Sequence, residues 1–452
     1  MIRNNGDTGF VPDLPAGAAE IRRILRDAGH RAVFVGGCVR DTLLGRPAAD
    51  WDIGTSARPE ESMRLFLHHG LQVIPTGLPH GTVTVLWDGA GYEVTVFRED
   101  GSYSDGRRPD SIEFTDSLER DLARRDFTMN AIAWDPDTGL IDPFDGQAAI
   151  AEGVIRTVGD PDRRFSEDAL RMMRAIRFAG RLGFSIDPAT LDAIRSHAPD
   201  LVRVSAERIS SELVQTAASP HPEALRLFHE TGLLRHFLPE LEAVYALPAG
   251  GGISIGEHCV RVTLFSPPTM VSRIAALLHD IARTPDPGPG PDDHAERSAV
   301  MADAALRRLR FSVRDRERIV WLIARHDDPV PATLPETRRF LSCTGADRWE
   351  DWLALVAADI RANRPGNEEF RLGELERMGE RVRAVLEAGD PLTVAQLAVD
   401  GRDAVHAGFT GRAAGRALDH CLDQVLENPA RNTRDHLMEA LRRLRREGTD
   451  HA

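Results

Sequence analysis

Val35-Gly36-Gly37-Cys38-Val39-Arg40-Asp41, followed nine residues on by Asp50-Trp51-Asp52, decides how the chain is read. The first stretch comes directly after a β-rich run, Ala32-Val33-Phe34-Val35, and opens a segment with helical periodicity. Two glycines at a strand–helix turn let backbone N–H groups approach a phosphate, with Arg40 beside them. Carboxylates at i and i+2 of a strand, here Asp50 and Asp52, point to one face roughly 6.6 Å apart along it. Such a pair can share two Mg²⁺ ions, which sit about 3.5–4 Å apart in enzymes that join nucleotides. Taken singly, the first signal fits an ordinary tight turn and the second a solvated strand edge. Their order, with a β-hairpin carrying Glu93 downstream, makes them informative together.

Strand signals crowd into the first third of the chain. Thr82 to Trp87 and Tyr92 to Phe97 are β-rich runs joined by Asp88-Gly89-Ala90-Gly91, a hairpin signature, and Ser111 to Phe114 is a further short run. Helical periodicity marks Ala18 to Asp27 and Glu60 to His69, then dominates after Ile150. This pattern predicts an α+β fold, with a mixed-sheet head and an all-helical body. Expected boundaries are a head over 1–150, a helical neck over 151–246, a helical domain over 247–365 and a helical tail over 366–452. Glycine- and proline-rich linkers are expected at Leu247 to Gly256 and Arg283 to Asp293.

The 452 residues carry 56 basic and 70 acidic side chains, a formal net charge of −14. No run approaches the roughly 20 apolar residues of a membrane span, and no signal peptide opens the chain, so a membrane partner is not expected. The four cysteines, Cys38, Cys259, Cys343 and Cys421, form no CxxC pair, and a reducing cytoplasm is the expected location. The acidic balance counts against a nucleic-acid partner, but the basic residues are clustered. Arg163 to Arg181 holds six arginines and two acids, as does Arg431 to Arg446, and the chain contains no lysine. Arginine suits planar, bidentate contacts to phosphates and bases.

Phe165 to Arg181 is predicted to form one amphipathic helix. Arg171, Arg174, Arg177 and Arg181 share one face, and Met172, Met173, Ile176 and Ala179 the other. Four like charges one turn apart repel and are expected to need an anion. Asp168 and Arg171 offer an acceptor and bidentate donors, the pattern that reads the edge of a base.

From about Phe34 to Phe184 the sequence resembles the class II tRNA nucleotidyltransferases and bacterial poly(A) polymerases, of the polymerase-β-like superfamily. GGCVRDTLLGRPAADWDIGTSARPEE, PTGLPHGTVTVL, YEVTVFREDGSYSDGRRPDSIEF, ERDLARRDFTMNAIAWD and the EDALR of Glu167 to Arg171 carry the likeness, in the family's order. The resemblance implies a polymerase-β-like head in which Asp50 and Asp52 hold Mg²⁺. It implies nucleotide contacts from Gly37, Arg40, Arg125, Arg174 and Arg177, and a protein template at Asp168 and Arg171 that selects CTP or ATP. The implied partners are tRNA, CTP and ATP. Glu93 is a candidate accessory carboxylate read from its hairpin.

His279-Asp280 lies in an otherwise apolar helical run, where an adjacent pair is costly to bury unless it is partnered or metal-bound. With His258 before it, the pair resembles the HD superfamily of metal-dependent phosphohydrolases, which implies a second divalent metal at His258, His279 and Asp280. His294 and His326 fit extra ligands and Asp359 a closing carboxylate. Where that family reads HDIGKP, this chain has Ile281-Ala282-Arg283-Thr284-Pro285 after its HD pair, which favours metal binding over hydrolysis. The tail, from Val399 through Asn432-Thr433-Arg434-Asp435, also resembles the nucleotidyltransferase family, and Gly411 and Gly415 are expected to permit close helix approach.

The expected function is addition of CCA to the 3′ end of tRNA by two-metal nucleotidyl transfer, with an HD phosphohydrolase side activity. The competing expectations are an A-adding enzyme or a poly(A) polymerase, an HD phosphohydrolase acting on RNA ends, and a non-catalytic tRNA chaperone. PTGLPHGTVTVL and the SYSDGRRP segment look more like the CCA-adding members.

Overall fold

The computed structural model describes residues 12–101, 111–284, 293–363 and 366–449. The SYSDGRRP segment and most of the Arg283 to Asp293 linker lie outside the described residues. The chain forms two compact units, Met1–Ala243 with Ala305–Phe311, and Val244–Ala304 with Ser312–Ala452.

At the centre of the first unit is a seven-stranded sheet. Its strands are β1 (Ala32–Val35), β2 (Ile53–Thr55), β3 (Gln72–Gly77), β4 (Thr82–Trp87) and β5 (Ala90–Val96), then β8 (Ala133–Asp135) and β9 (Gly139–Ile141). Between them β6 (Arg98–Asp100) and β7 (Ile112–Phe114) pair separately. The order β3-β4-β5-β2-β1-β8-β9 mixes antiparallel pairs with one parallel pair, β2 on β5. All four residues of β1 are buried, so both faces of the strand are covered. Ala32 and Phe34 enter one core with Ile21, Ile24 and Leu25 of α1 (Ala16–Asp27) and Phe66 of α3 (Pro59–His68). Val33 and Val35 enter a second core with Phe97 and with Leu118 and Leu122 of α4 (Leu118–Ala123). Alternation along one strand therefore joins two cores. The β4–β5 turn is tighter than its glycines suggest. Asp88 (φ 47°) and Gly89 (φ 81°) alone make it, the left-handed pair of a two-residue hairpin.

Helix α2 (Gly37–Leu43) follows β1, and α5 (Gly146–Glu152) follows the sheet. The neck holds α6 (Pro161–Glu167), α7 (Leu170–Leu182), α8 (Pro188–His197), α9 (Ala206–Ala217) and the short α10 (Arg226–Glu230), α11 (Leu234–Phe237) and α12 (Pro239–Val244). The single helix expected over Phe165 to Arg181 is two helices. Asp168 leaves helical geometry (φ −147°, ψ 104°), and its carboxylate accepts the Leu170 N–H at 3.1 Å. A short acidic side chain competes in this way for orphan N–H groups and restarts the helix.

In the second unit α13 (Ile255–Phe265), α14 (Met270–Leu278), α15 (His294–Arg308, of which 305–308 count with the first unit), α16 (Val313–Arg325), α17 (Leu334–Thr344) and α18 (Trp349–Asn363) precede α19 (Glu368–Glu387), α20 (Gly401–His406), α21 (Arg412–Glu427) and α22 (Arg434–Thr449). The tail has its own apolar cluster, including Val399, Leu418, Cys421, Val425, Leu437 and Leu441. The expected close approach at Gly411 and Gly415 is absent, because a Cβ at either would meet nothing within 4 Å. Gly411 serves instead as a left-handed turn residue ahead of α21 (φ 53°).

Buried Asp126 joins the head to the neck. It accepts from Arg174 of α7 at 2.6 and 2.8 Å, from Asn130 Nδ2 at 3.0 Å and from the Phe127 N–H at 2.8 Å. Burial alone would raise its carboxyl, but Arg174 and the other donors outweigh it and hold the group well below the usual carboxylate range. Its stabilisation is thus complete above the unfolded value near pH 4 and is lost as pH falls through the depressed folded value. Asp126→Asn should cost about 3 kcal/mol at pH 7 in urea unfolding, and its deficit relative to the parent should shrink progressively below about pH 4.

Candidate active site and a candidate metal centre

A cavity of about 570 Å³ opens between the sheet and α7 within the first unit. One wall is the turn after β1. Gly36 has φ 77° and ψ −121°, a conformation open essentially to glycine. A Cβ there would lie 2.7 Å from Arg125 Nη1, so the glycine permits both the turn and the arginine. Gly37, the residue expected from the sequence, is the first residue of α2 and also lines the cavity.

Asp50, Trp51 and Asp52 lie in an extended run just before β2, not inside a strand as expected. Alternation still holds. Asp50 is exposed and Asp52 half-buried, while Trp51 packs edge-on to Phe34 at 5.1 Å between ring centres. The Asp52 carbonyl accepts the Val35 N–H at 3.1 Å, which fixes the run against β1. Because β2 pairs in parallel with β5, Ile53 opposite Val94, Asp52, one residue ahead of β2, comes beside Glu93 of β5. Burial first, then the Glu93 charge, push the Asp52 carboxyl up to about 6; Asp50 adds to this and Arg125 opposes it. A partly buried carboxylate with other carboxylates beside it is a donor set that a hard divalent cation would relieve, so these residues fit such an ion. Asp52 and Glu93 line the cavity, and Asp50 is outside its lining.

Nine arginines and five acids line the cavity, so it is positive inside a chain of net charge −14. The arginines of α7 do not wait for a foreign anion, as their spacing alone suggested. Arg171 donates to Glu167 at 2.6 Å and to the Arg124 carbonyl at 3.1 Å. Arg174 pairs with Asp126, Arg177 with Glu212 at 2.6 Å, and Arg181 with Asp41 at 3.0 Å. Arg40 is buried and donates to Asp41 at 2.8 Å and to Asn130 Oδ1 at 2.6 Å. Asp168 receives Arg208 through two contacts, 2.7 and 3.3 Å. Arg125 is engaged more loosely, at 3.3 Å from Asp121 and 3.4 Å from the Asn130 carbonyl, and its buried Nε has no hydrogen-bond partner.

Every candidate of the head and neck except Asp50 therefore borders one cavity. The sequence reading missed Asp126, Asn130, Arg208 and Glu212. Asp126 and Asn130 stand in RRDFTMN, read only for Arg125. Arg208 and Glu212 are four residues apart on α9, a spacing that places both on one helix face.

In the second unit, His258 of α13, His279 and Asp280 after α14, His294 at the start of α15, His326 after α16 and Asp359 of α18 converge. Asp280 is fully buried. His279 Nδ1 lies 2.8 Å from the Ala276 carbonyl and His326 Nδ1 2.7 Å from that of Ile323. A carbonyl only accepts, so each Nδ1 carries a proton, and the neutral ring turns its Nε2 lone pair to the centre, as in metal-binding histidines. Burial pushes His279 down to about 4, which keeps that lone pair available. Arg283 donates to Asp280 Oδ2 at 2.7 Å. The departure from HDIGKP thus retains a cation where the family has lysine.

The fold and sites define a nucleotidyltransferase-type head and neck joined to an HD-type helical domain. Residues 32–156 match the poly A polymerase head domain, 183–245 the probable RNA and SrmB-binding site of polymerase A, and 255–363 the HD domain. The crystal structure of the Bacillus stearothermophilus CCA-adding enzyme in complex with CTP is 32% identical, with a TM-score of 0.74 over 96% of this chain and 98% of that one. The chain belongs to the class II CCA-adding enzyme and poly(A) polymerase family with a C-terminal HD domain. The Geobacillus thermodenitrificans CCA-adding enzyme is 54% identical over 225 residues, 50% of this chain and 54% of that protein. The chain thus spans about half the length of the curated relatives it matches. The Thermotoga maritima CCA-adding enzyme complexed with tRNA shares the fold at 19% identity and a TM-score of 0.59, over 94% of each chain. No helix among the described residues is long and apolar enough to cross a membrane.

Gly36→Ala should leave the fold cooperative, cost about 1–3 kcal/mol of stability and weaken nucleoside triphosphate binding at least tenfold in a dye-displacement titration. Wild-type affinity in that variant would show that the Gly36–Arg125 contact does not shape the site.

Proposed function

We propose that the chain completes or repairs the 3′ end of tRNA, adding C, C and A from CTP and ATP without a nucleic-acid template. The observation that carries this reading is the arginine-ringed cavity in which Asp52 and Glu93 from the sheet share one space with Asp168 and Arg171 from the neck. The 32% identical relative solved with CTP supports the same assignment.

On this reading Asp50 and Asp52 hold Mg²⁺, which when bound supplies charge neutralisation and lowers the pKa of a coordinated hydroxyl. Arg125, with its free Nε, and the Gly37 to Arg40 turn hold the triphosphate. Arg174 and Arg177 border the nucleotide and are fixed by Asp126 and Glu212. Asp168 accepts from an exocyclic amino group while Arg171 donates to a ring nitrogen. Cytosine and adenine both offer that pair, whereas uracil and guanine present a carbonyl in place of the amino group. Positioning and charge supply the rate, and no covalent intermediate is needed. The acceptor arm of tRNA is the partner, read by shape, and the cytoplasm the location.

Each NTP singly, then CTP with ATP, should be offered to tRNAs ending at the discriminator base, at C or at CC. Two C and one A, then a stop, is the expected product. Addition of A to the CC-ending tRNA alone would make this an A-adding enzyme, and a long A tail a poly(A) polymerase. Asp50→Ala with Asp52→Ala should abolish incorporation and leave tRNA binding within about twofold; full incorporation would sink the two-metal assignment.

A second reading is favoured by the buried histidine–aspartate cluster and Arg283: hydrolysis of phosphoesters at RNA ends. His279→Ala with Asp280→Ala should abolish phosphatase activity on a 2′- or 3′-phosphorylated oligonucleotide and leave CCA addition intact.

A further inference from the structure

Two residues beyond Asp126, Thr128 borders a second cavity of the first unit, of about 400 Å³. Head and neck both line it. Phe144 and Asp145 come from the turn ahead of α5, Arg156 and Thr157 from the run ahead of α6, and Asp187 and Thr190 from the start of α8. None of these residues borders the arginine-ringed cavity.

Its charge is the reverse of the first. Two acids and one arginine line it, and Arg156 is already engaged by Asp187 and by Glu152, each at 3.3 Å. A phosphate would therefore meet more negative than positive charge. What the cavity offers instead is hydroxyl groups. Thr128, Thr157 and Thr190 are 5%, 3% and 1% exposed, and their hydroxyls are poorly served. Thr128 Oγ1 is buried without a hydrogen-bond partner. Thr157 Oγ1 donates to the Gly159 carbonyl at 3.5 Å, and Thr190 Oγ1 accepts the Thr157 N–H at 3.4 Å, both beyond the usual length. Buried polar groups in this state are costly, and a ligand that both donates and accepts relieves them. Asp145 adds an acceptor. It is exposed and makes no cap bond to α5, because Asp142 takes the Gly146 and Gln147 N–H groups at 2.7 and 2.8 Å. Half-buried Phe144 and Pro161 supply an apolar side.

We propose that this cavity binds an uncharged polyol with one apolar face, a sugar ring. Hydroxyl groups of the ring serve the threonines and Asp145, since each can donate and accept, and its C–H face lies on Phe144. The volume falls in the range of small-ligand sites, which pair apolar walls with a few placed polar groups. An occupant would tie Thr128 and Phe144 of the head to Thr190 of the neck. A nucleoside and a free saccharide share this chemistry.

The full chain is saturated with CTP, which its triphosphate directs to the arginine-ringed cavity. Uridine and glucose are then offered separately, and saturation-transfer NMR reads contact with their ring protons. Transfer is expected; to uridine alone it identifies a nucleoside as the source, and to glucose as well a saccharide in general. Thr128→Val removes only the unpartnered hydroxyl, so it should keep the parent's urea midpoint while the transfer falls to background. Ala189→Phe, at an exposed position on the cavity wall, should abolish transfer by filling the space, and it decides where the threonine variant fails to fold. No transfer from the parent, transfer that vanishes when CTP is added, or transfer unchanged in a folded variant overturns the proposal. Spermidine bound in place of either sugar, and released by Asp145→Asn, overturns it in favour of a cation site.

Discussion

The first unit depends on a closed circuit of charge that begins and ends on α7. Arg174 holds Asp126, whose other oxygen accepts from Asn130 Nδ2; the Asn130 side-chain Oδ1 accepts from Arg40; Arg40 holds Asp41; and Asp41 accepts from Arg181, two turns along α7 from Arg174. The circuit crosses from the neck to the loop before β8, to α2 after β1, and back. Guanidinium is the group that makes it workable, because its five donors in a fixed plane can serve two acceptors at once while its charge persists. Ring contacts extend the circuit. Arg40 lies 5.3 Å, Arg174 5.5 Å and Arg177 4.1 Å from the centre of Phe178, so one aromatic ring meets three cations.

Such a circuit costs desolvation at every member, and in an isolated pair that cost commonly cancels the attraction. Its structural consequence is precision. A cavity ringed by nine arginines would spread apart or fill with ions if the guanidiniums were mobile. Anchored to carboxylates set by the strands and helices, they present a fixed positive surface against the carboxylates of Asp52 and Glu93. The net charge of −14 is therefore a poor guide to what the chain attracts. The acids are dispersed, while the cations that matter are concentrated and held.

How far the sequence discloses this differs with the range of the interaction. Strand β1, the β4–β5 hairpin and the amphipathic α7 are legible because alternation, turn chemistry and helical period are local. So is the meeting of Asp52 with Glu93, once strand order is known. The break at Asp168 is not, since a single acidic residue in a helical period reads equally as surface. The partners of the arginines are least legible. Glu212 stands 35 residues from Arg177, and Asp41 140 residues from Arg181, and no periodicity spans such distances. Reading α7 by itself therefore turned internal ion pairs into apparent vacancies. The histidine cluster is the opposite case. Polar residues in apolar helical runs are conspicuous singly, and what had to come from structure was their convergence, with the two Asp280 oxygens facing different histidine pairs.

The engaged state of Asp168 and Arg171 bears on how a base would be chosen under the proposed function. Neither group is idle. Asp168 is held by Arg208 and by the Leu170 N–H, and Arg171 by Glu167 and two carbonyls. Carboxylate and guanidinium oxygens and nitrogens can accept or donate further, but only in directions these bonds leave open. The internal contacts thus act as a jig that aims one acceptor and one donor outward. A base whose edge carries amino group and ring acceptor in that order completes the set. One with the order reversed sets a carbonyl against a carboxylate and an N–H against a guanidinium, leaving buried polar groups opposed rather than merely unpaired. Sites built on directed hydrogen bonds reject such mismatches by about 10⁴–10⁵, more than the few-fold discrimination that shape gives between bases of similar size. On this account a protein surface can replace a template because its reading groups are immobilised before the nucleotide arrives. Under the proposed function, Arg208 and Glu167 would be the residues that position them.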